Sequence, residues 1–526
     1  MDKQKFDIVI IGGGATGAGT ALDATLRGFK CLLLEKNDFS EGTSSRSTKL
    51  VHGGVRYLEA AVKKLDKSQY DLVKEGLKER YRILQNASHL AHSITLVTPL
   101  YKWYEIPYIY AGLFLYDLIS GKKSLGRTQI VSKNEIMNIF PSVKKEGLKG
   151  GVRYFDGAFN DARMAIALLQ SAKEKGCEVR NYSEVVNFKY DDNKISSVEV
   201  KDKNNNEMYS INTDFVINAT GVFCDSVRKL DDKNAHDIIE ASTGIHIVLD
   251  KKFLPNNEGL MIPQTEDGRV LFMLPWMDKC LVGTTDEESF PHDHPKVDEQ
   301  DVEYLLRHMR KYFSVDIEKR DILSSWCGLR PLVSLKHTDD TKGLVREHYI
   351  EQSKSNLISI AGGKWTSYRK MAEDVVDVVH KLSGDTKLHK CCTKDYKLLG
   401  SGTNTEQIKE KLDKLNLEQE TSEHLLETYG SQALVVADFI KRYGKEKIHK
   451  GYPLLEAEIY YALEHEFVKK PLDFLVRRIG LGLIDLNAAR ESLKKVTFVL
   501  KESFGWSDKM SNAKQEEALT LLNEGV

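Results

Sequence analysis

The sequence predicts an α/β fold completed by helices: a Rossmann-like nucleotide domain, an antiparallel-sheet domain that interrupts it, and a C-terminal α-helical domain. Three observations predict it. Residues 6–35 read as strand, glycine turn, helix and strand; the middle of the chain alternates apolar and polar residues; from about residue 390 the pattern turns helical. A length of 526 residues suits two or three domains, and 41% hydrophobic residues suffice for large cores.

The first unit is the most specific. Phe6 to Ile11 is apolar enough for a buried parallel strand and runs into Gly12-Gly-Gly-Ala-Thr-Gly17, a G-x-G-x-x-G turn. Ala18 to Gly28 makes a small-residue helix, and Phe29 to Glu35 returns as a strand ending in an acid. Gly12 permits the tight turn, Gly14 lets backbone amides approach a pyrophosphate, and Gly17 lets the helix pack closely on the strand. The helix N-terminus offers unpaired N–H groups to phosphates, and Glu35 can accept hydrogen bonds from ribose hydroxyls. The unit therefore points to a dinucleotide.

Further along, residues 66–92 read as a long helix and 184–217 as strands with a turn at Asp202 to Asn206. That turn has Glu207 and Thr213 where a calcium loop needs glycine and glutamate, so it reads as a plain hairpin turn. Strands follow at 245–249, 269–274, 279–283 and 357–361, then helices at 404–415, 421–429, 431–442, 454–467 and 486–502. Between 101 and 116 lie seven aromatic residues, Tyr101, Trp103, Tyr104, Tyr108, Tyr110, Phe114 and Tyr116, followed by Lys122, Lys123 and Arg127. Rings beside cations suit a lipid headgroup boundary, and equally an aromatic core segment or a protein interface.

Charge excludes some classes. Basic and acidic residues number 76 and 77, so no global field favours nucleic acid. Seven scattered cysteines, with Cys391 and Cys392 adjacent, suit a reducing compartment and give no metal or redox pair. No stretch approaches a spanning helix, and the nucleotide strand starts so early that no targeting peptide is expected.

Four more segments carry chemistry: Thr43 to Tyr57, rich in hydroxyls and containing His52, Arg56 and Tyr57; Val216 to Gly221; Trp326-Cys-Gly-Leu-Arg-Pro331; and Ile358 to Ser367, where two glycines and Lys364 precede a helix start. Together with Gly283-Thr-Thr-Asp286 they resemble the FAD-dependent glycerol-3-phosphate dehydrogenases, a branch of the glycine/D-amino-acid oxidase superfamily, across essentially the whole chain. Asn218 to Arg228 and Tyr101-Lys-Trp-Tyr104 look closer to the mitochondrial type. Unlike the animal form, the chain carries neither a targeting extension nor an EF-hand pair, so calcium control is not expected.

The resemblance implies a discontinuous Rossmann-like FAD-binding domain (1–65, 150–235, 335–389), an antiparallel-sheet substrate domain (66–149, 236–334) and a helical domain (390–526). It implies oxidation of sn-glycerol 3-phosphate to dihydroxyacetone phosphate, hydride passing to FAD N5 and electrons to a membrane quinone. Peripheral attachment follows, on the cytoplasmic face of a bacterial inner membrane or on the mitochondrial inner membrane; the sequence admits a homodimer. Arg56, Arg330 and Lys364 match positions that hold the substrate phosphate, with Tyr57 and Thr285 adding hydrogen bonds. The base for the C2 hydroxyl is His52, His246, or a water polarised by Arg330. For FAD the expected residues are Gly12, Gly14, Gly17 and Glu35; Ser44, Ser45 and Lys49 at the pyrophosphate and ribityl region; and Gly221, Gly363 and Thr366 near the dinucleotide or the ring.

An oxidase using O2 is the nearest rival. Only 32 positions separate Arg330 from Gly362, where several oxidases carry a long insertion, which favours the dehydrogenase. An amino-acid oxidase is opposed by the cationic cluster, and an RNA-binding flavoprotein by the balanced charge.

Overall fold

The computed structural model describes residues 5–54, 66–266, 268–334, 348–402 and 404–525. Strand β1 (Lys5–Ile11), helix α1 (Ala15–Arg27) and strand β2 (Cys31–Leu34) form the predicted opening unit. β1 pairs in parallel with β2 on one side and with Met208–Asn218 on the other. Glu178–Arg180 and Leu357–Gly362 extend the parallel array outward. Ile8, Val9, Ile10 and Leu32 to Leu34 are wholly buried, as expected for strands covered on both faces. Antiparallel strands His348–Gln352, Lys194–Asp202 and Ser183–Asp191 complete an eight-stranded sheet, with the 202–208 connection closing a hairpin as expected.

The second sheet has ten described strands and is antiparallel except where Glu258–Ile262 runs parallel to Ala91–Leu100. Its longest ladder joins Ile239–Asp250 to Ile322–Val333 and sets Ser242 opposite Arg330 and His246 opposite Trp326. Gly150–Phe159 was expected in the nucleotide domain; it pairs instead with Ala91–Leu100 in the second sheet, along with the short strand Leu50–Val51. Nothing in the composition of 150–159 distinguishes the two sheets, so the crossing point was not legible there.

The long helix appears as Lys67–Asn86, and the aromatic segment forms a helix, Glu105–Ser120. All five expected C-terminal helices are present, joined by Asp508–Glu524 and a π-helical turn, Asp473–Arg478. The earlier of these helices share a core of their own around Leu412, Leu425, Val436 and Phe439, and the later ones do not. Phe474, Leu475, Leu493 and Val496 pack in one cluster with Val248, Leu281 and Trp326 of the second sheet. Among the described residues no helix is long and apolar enough to cross a membrane.

Candidate functional site

The carboxyl ends of the parallel strands converge on a cavity of about 530 Å³, where an open α/β sheet binds its ligand. Gly12 and Gly14 floor it, with Glu35, Thr220, Gly221, Gly362, Gly363, Lys364 and Trp365 around it. Gly12 adopts φ +109°, and a Cβ there would stand 2.5 Å from the carbonyl oxygen of Ala219. A Cβ at Gly17 would come within 1.8 Å of the Gly12 carbonyl, so only glycine lets α1 sit this close to the turn. Glu35 accepts hydrogen bonds from the Gly13 amide at 2.7 Å and the Asn37 amide at 2.9 Å. Burial pushes its pKa up, and those two amides oppose the shift.

The serine-rich segment is held from several sides. Ser44 Oγ accepts from the Ala15 amide at the start of α1, and Ser44 O accepts from Trp365 Nε1, both at 2.9 Å. Thr43 Oγ1 donates to Leu329 O and Arg46 to Cys327 O, on the strand that carries Arg330. Thr366 Oγ1 donates to His52 O at 3.2 Å. Ser44 lines the cavity, whereas Ser45 and Lys49 are not among its described lining residues. Lys49, expected at the pyrophosphate and ribityl region, has its buried ammonium 2.6 Å from Asp161 Oδ1 and donates to Ser45 O. An ammonium this deep is stable only when paired, and Asp161, 112 positions away, could not be matched to it from sequence.

His246 is buried, stacks on Trp326 with ring centroids 5.4 Å apart, and places Nε2 3.0 Å from Thr48 Oγ1. Burial, with Lys49 and Arg330 nearby, pushes its pKa well down. His52 is pushed down to about 3 by burial and by the charges of Lys364 and Arg80. Both rings are therefore neutral at ordinary pH. Arg330 spends both terminal nitrogens on Ser242, Thr243 O, Asp286, Thr284 and Thr285 O, at 2.8 to 3.1 Å. Thr285 Oγ1 accepts from the Ile245 amide at 3.1 Å, so it buttresses this strand end. Leu329 and Pro331, on either side of Arg330, line the cavity, which alternation along a strand explains. Arg56 and Tyr57 lie outside the described residues.

Sequence reasoning missed Ser40 and Asp161, and gave Thr43, Arg46 and Trp365 no role beyond their place in the two motifs. Ser40 lines the cavity, and its buried hydroxyl has no partner among the described residues. A buried orphan hydroxyl of this kind calls for a ligand or a water. The only available signal was its place just beyond Glu35.

A glycine floor, a carboxylate ending β2, an orphan hydroxyl and the N-terminus of α1 fit the adenosine and pyrophosphate half of FAD. Fold and site thus define the class of FAD dependent oxidoreductases, whose family profile matches residues 7–369; residues 391–511 match the C-terminal domain of alpha-glycerophosphate oxidase. The chain is 42% identical to the probable mitochondrial glycerol-3-phosphate dehydrogenase of Caenorhabditis elegans, covering 99% of this chain and 73% of that protein. Identity to the mitochondrial glycerol-3-phosphate dehydrogenase of Homo sapiens is 40%, covering 99% and 74%. The solved structure of the glycerol-3-phosphate dehydrogenase from Bacillus halodurans, complexed with FAD, superposes with a TM-score of 0.82 at 30% identity, over 100% of this chain and 95% of that one. This chain belongs to the glycerol-3-phosphate dehydrogenase family.

Proposed function

We propose that this chain oxidises sn-glycerol 3-phosphate to dihydroxyacetone phosphate with bound FAD and delivers the electrons to a membrane quinone. The observation that carries the reading is 42% identity, over 99% of the chain, to a relative named for that dehydrogenase.

Gly12, Gly14, Gly17, Glu35, Ser40 and Ser44 would hold the FAD, with Gly221, Gly363 and Thr366 near the dinucleotide or the ring. The flavin supplies the acceptor for the hydride lost from C2. Lys364 presents its ammonium to the substrate phosphate at the cavity wall. Arg330, fixed by its five acceptors, adds positive potential from the adjoining strand. Arg56, Tyr57 and Thr285 complete the phosphate site on the strength of their motif positions. A neutral histidine, His52 or His246, takes the C2 hydroxyl proton as the hydride leaves. A bound phosphate dianion raises the proton affinity of either ring, offsetting the depression caused by the surrounding cations.

The aromatic helix supports peripheral membrane attachment. Trp103 is 73% exposed, and Tyr104, Tyr108, Phe114 and Leu118 are exposed as well.

The test is the absorption spectrum of purified protein without air. Adding sn-glycerol 3-phosphate bleaches the flavin band, and glycine does not; the reverse result refutes the assignment. A second reading, O2 as acceptor, takes support from the oxidase-named C-terminal domain. Turnover with O2 comparable to that with a soluble quinone would favour it.

A further inference from the structure

The loop after β2 lines the cavity with Lys36, Asn37, Ser40, Glu41 and Gly42. Its other acid, Asp38, is fully buried and is not among the described residues that line the cavity. Both of its carboxylate oxygens are taken by arginines about 440 positions further along the chain. Arg478 grips it with two parallel bonds, Nη1 at 2.7 Å and Nη2 at 2.8 Å, and Arg477 donates Nε to the same carboxylate. Arg477 also reaches Glu41 at 3.4 Å and Asp473 at 2.9 Å. Both arginines belong to the π-helical turn Asp473–Arg478. Such turns are rare and collect at functional sites, and this one lets two consecutive side chains meet one acid. The same loop donates the Ser40 amide to Gly13 O, in the glycine turn itself.

We propose that Arg477 and Arg478 are cofactor-positioning residues: through Asp38, the C-terminal helical region fixes the loop that walls the adenosine end of the FAD cavity. The adenosine end is assigned because Glu35, which closes β2, stands where an acid meets the ribose. Neither arginine lines the cavity; each acts by removing freedom from a short irregular loop before the cofactor arrives, which raises affinity without new contacts. A carboxylate buried beneath such a loop would be unstable without them. The proposal goes beyond the substrate assignment and survives if the substrate is a different small anion.

Full-length holoenzymes of the wild type, Arg477→Lys, Arg477→Gln and Glu458→Gln are diluted into FAD-free buffer, and release is followed by recovery of free flavin fluorescence. Helix content is followed separately on heating. Glu458 serves as the control: it is buried in the same helical region, accepting from Tyr429 at 2.8 Å and the Leu455 amide at 2.6 Å and pairing with His424, and none of these groups belongs to the 36–42 loop. Arg477→Gln is expected to release FAD about tenfold faster, with flavin leaving at a temperature below that of helix loss, and Arg477→Lys to lie between it and the wild type. Glu458→Gln is expected to melt earlier while releasing FAD at the wild-type rate below its transition. Unchanged release from the Arg477 variants, or equal acceleration by Glu458→Gln, overturns the proposal. Should Arg477→Gln yield no folded protein, Arg477→Lys decides on the same two readouts.

Discussion

Lys364 follows two glycines of positive φ at the end of a parallel strand and is among the residues that line the cavity. A charged hydrogen bond to phosphate is worth roughly 1.5–3 kcal/mol, so Lys364→Ala should weaken substrate binding about ten- to a hundredfold while leaving FAD content intact. Titration of anaerobic flavin reduction with glycerol 3-phosphate measures this directly. Tyr116 works from outside the cavity: its hydroxyl accepts from the Gly53 amide at 2.6 Å and donates to Asp156, which Arg80 also holds. Tyr116→Phe leaves that amide unpaired and should cost about 1–3 kcal/mol, read as a lower urea midpoint. Histidines set the acid limit. His52 and His89 fall from 6.5 to about 3 and about 4, chiefly by burial, so below pH 6.5 the unfolded chain binds protons that the folded one refuses. Their contribution is complete above that pH and is lost progressively as pH falls, toward 4 for His89 and toward 3 for His52. His89→Gln should therefore flatten the loss of urea midpoint between pH 7 and pH 5, by up to about 2 kcal/mol.

At the scale of elements, the opening unit was legible almost residue by residue, because the strand, the turn and α1 each obey a local rule. A Cβ at Gly17 would clash with backbone that cannot yield, so Gly17→Ala should purify largely without flavin, checked by the ratio of flavin absorbance to protein. The helix Glu105–Ser120 was legible only as composition: its apolar residues go all the way round, so no helical stripe announces it. The burial of Tyr116 beside the exposure of Phe114 and Leu118 gives that helix one buried face and one exposed face. Replacing Trp103 and Tyr104 together with serine should abolish cosedimentation with anionic lipid vesicles. Unchanged sedimentation would move the contact to another surface. Lys49 shows the limit of motif reading, since its partner is supplied by a distant helix start.

Across the whole molecule, sequence separated three domains, but packing joins them. Periodicity reports which face of a helix is apolar; it does not report what covers that face. The C-terminal helices complete the core of the second sheet, so removal of 391–526 would bare Val248, Leu281 and Trp326. Such a truncation is expected to accumulate as aggregate, checked by the soluble fraction after expression. Arg163, in the helix Asp161–Glu174 that packs on the nucleotide-binding sheet, pairs with Glu466 of the C-terminal helices in a buried contact at 2.6 Å, beyond any sequence-local signal. The stretch from Thr43 to Gly53 runs between these bodies, bonded to α1, to the Arg330 strand, to Asp161 and to Tyr116. Among the described residues, this ribbon is fastened along its length and ties the two sheets together. A swing of one sheet against the other would have to break several of these bonds at once.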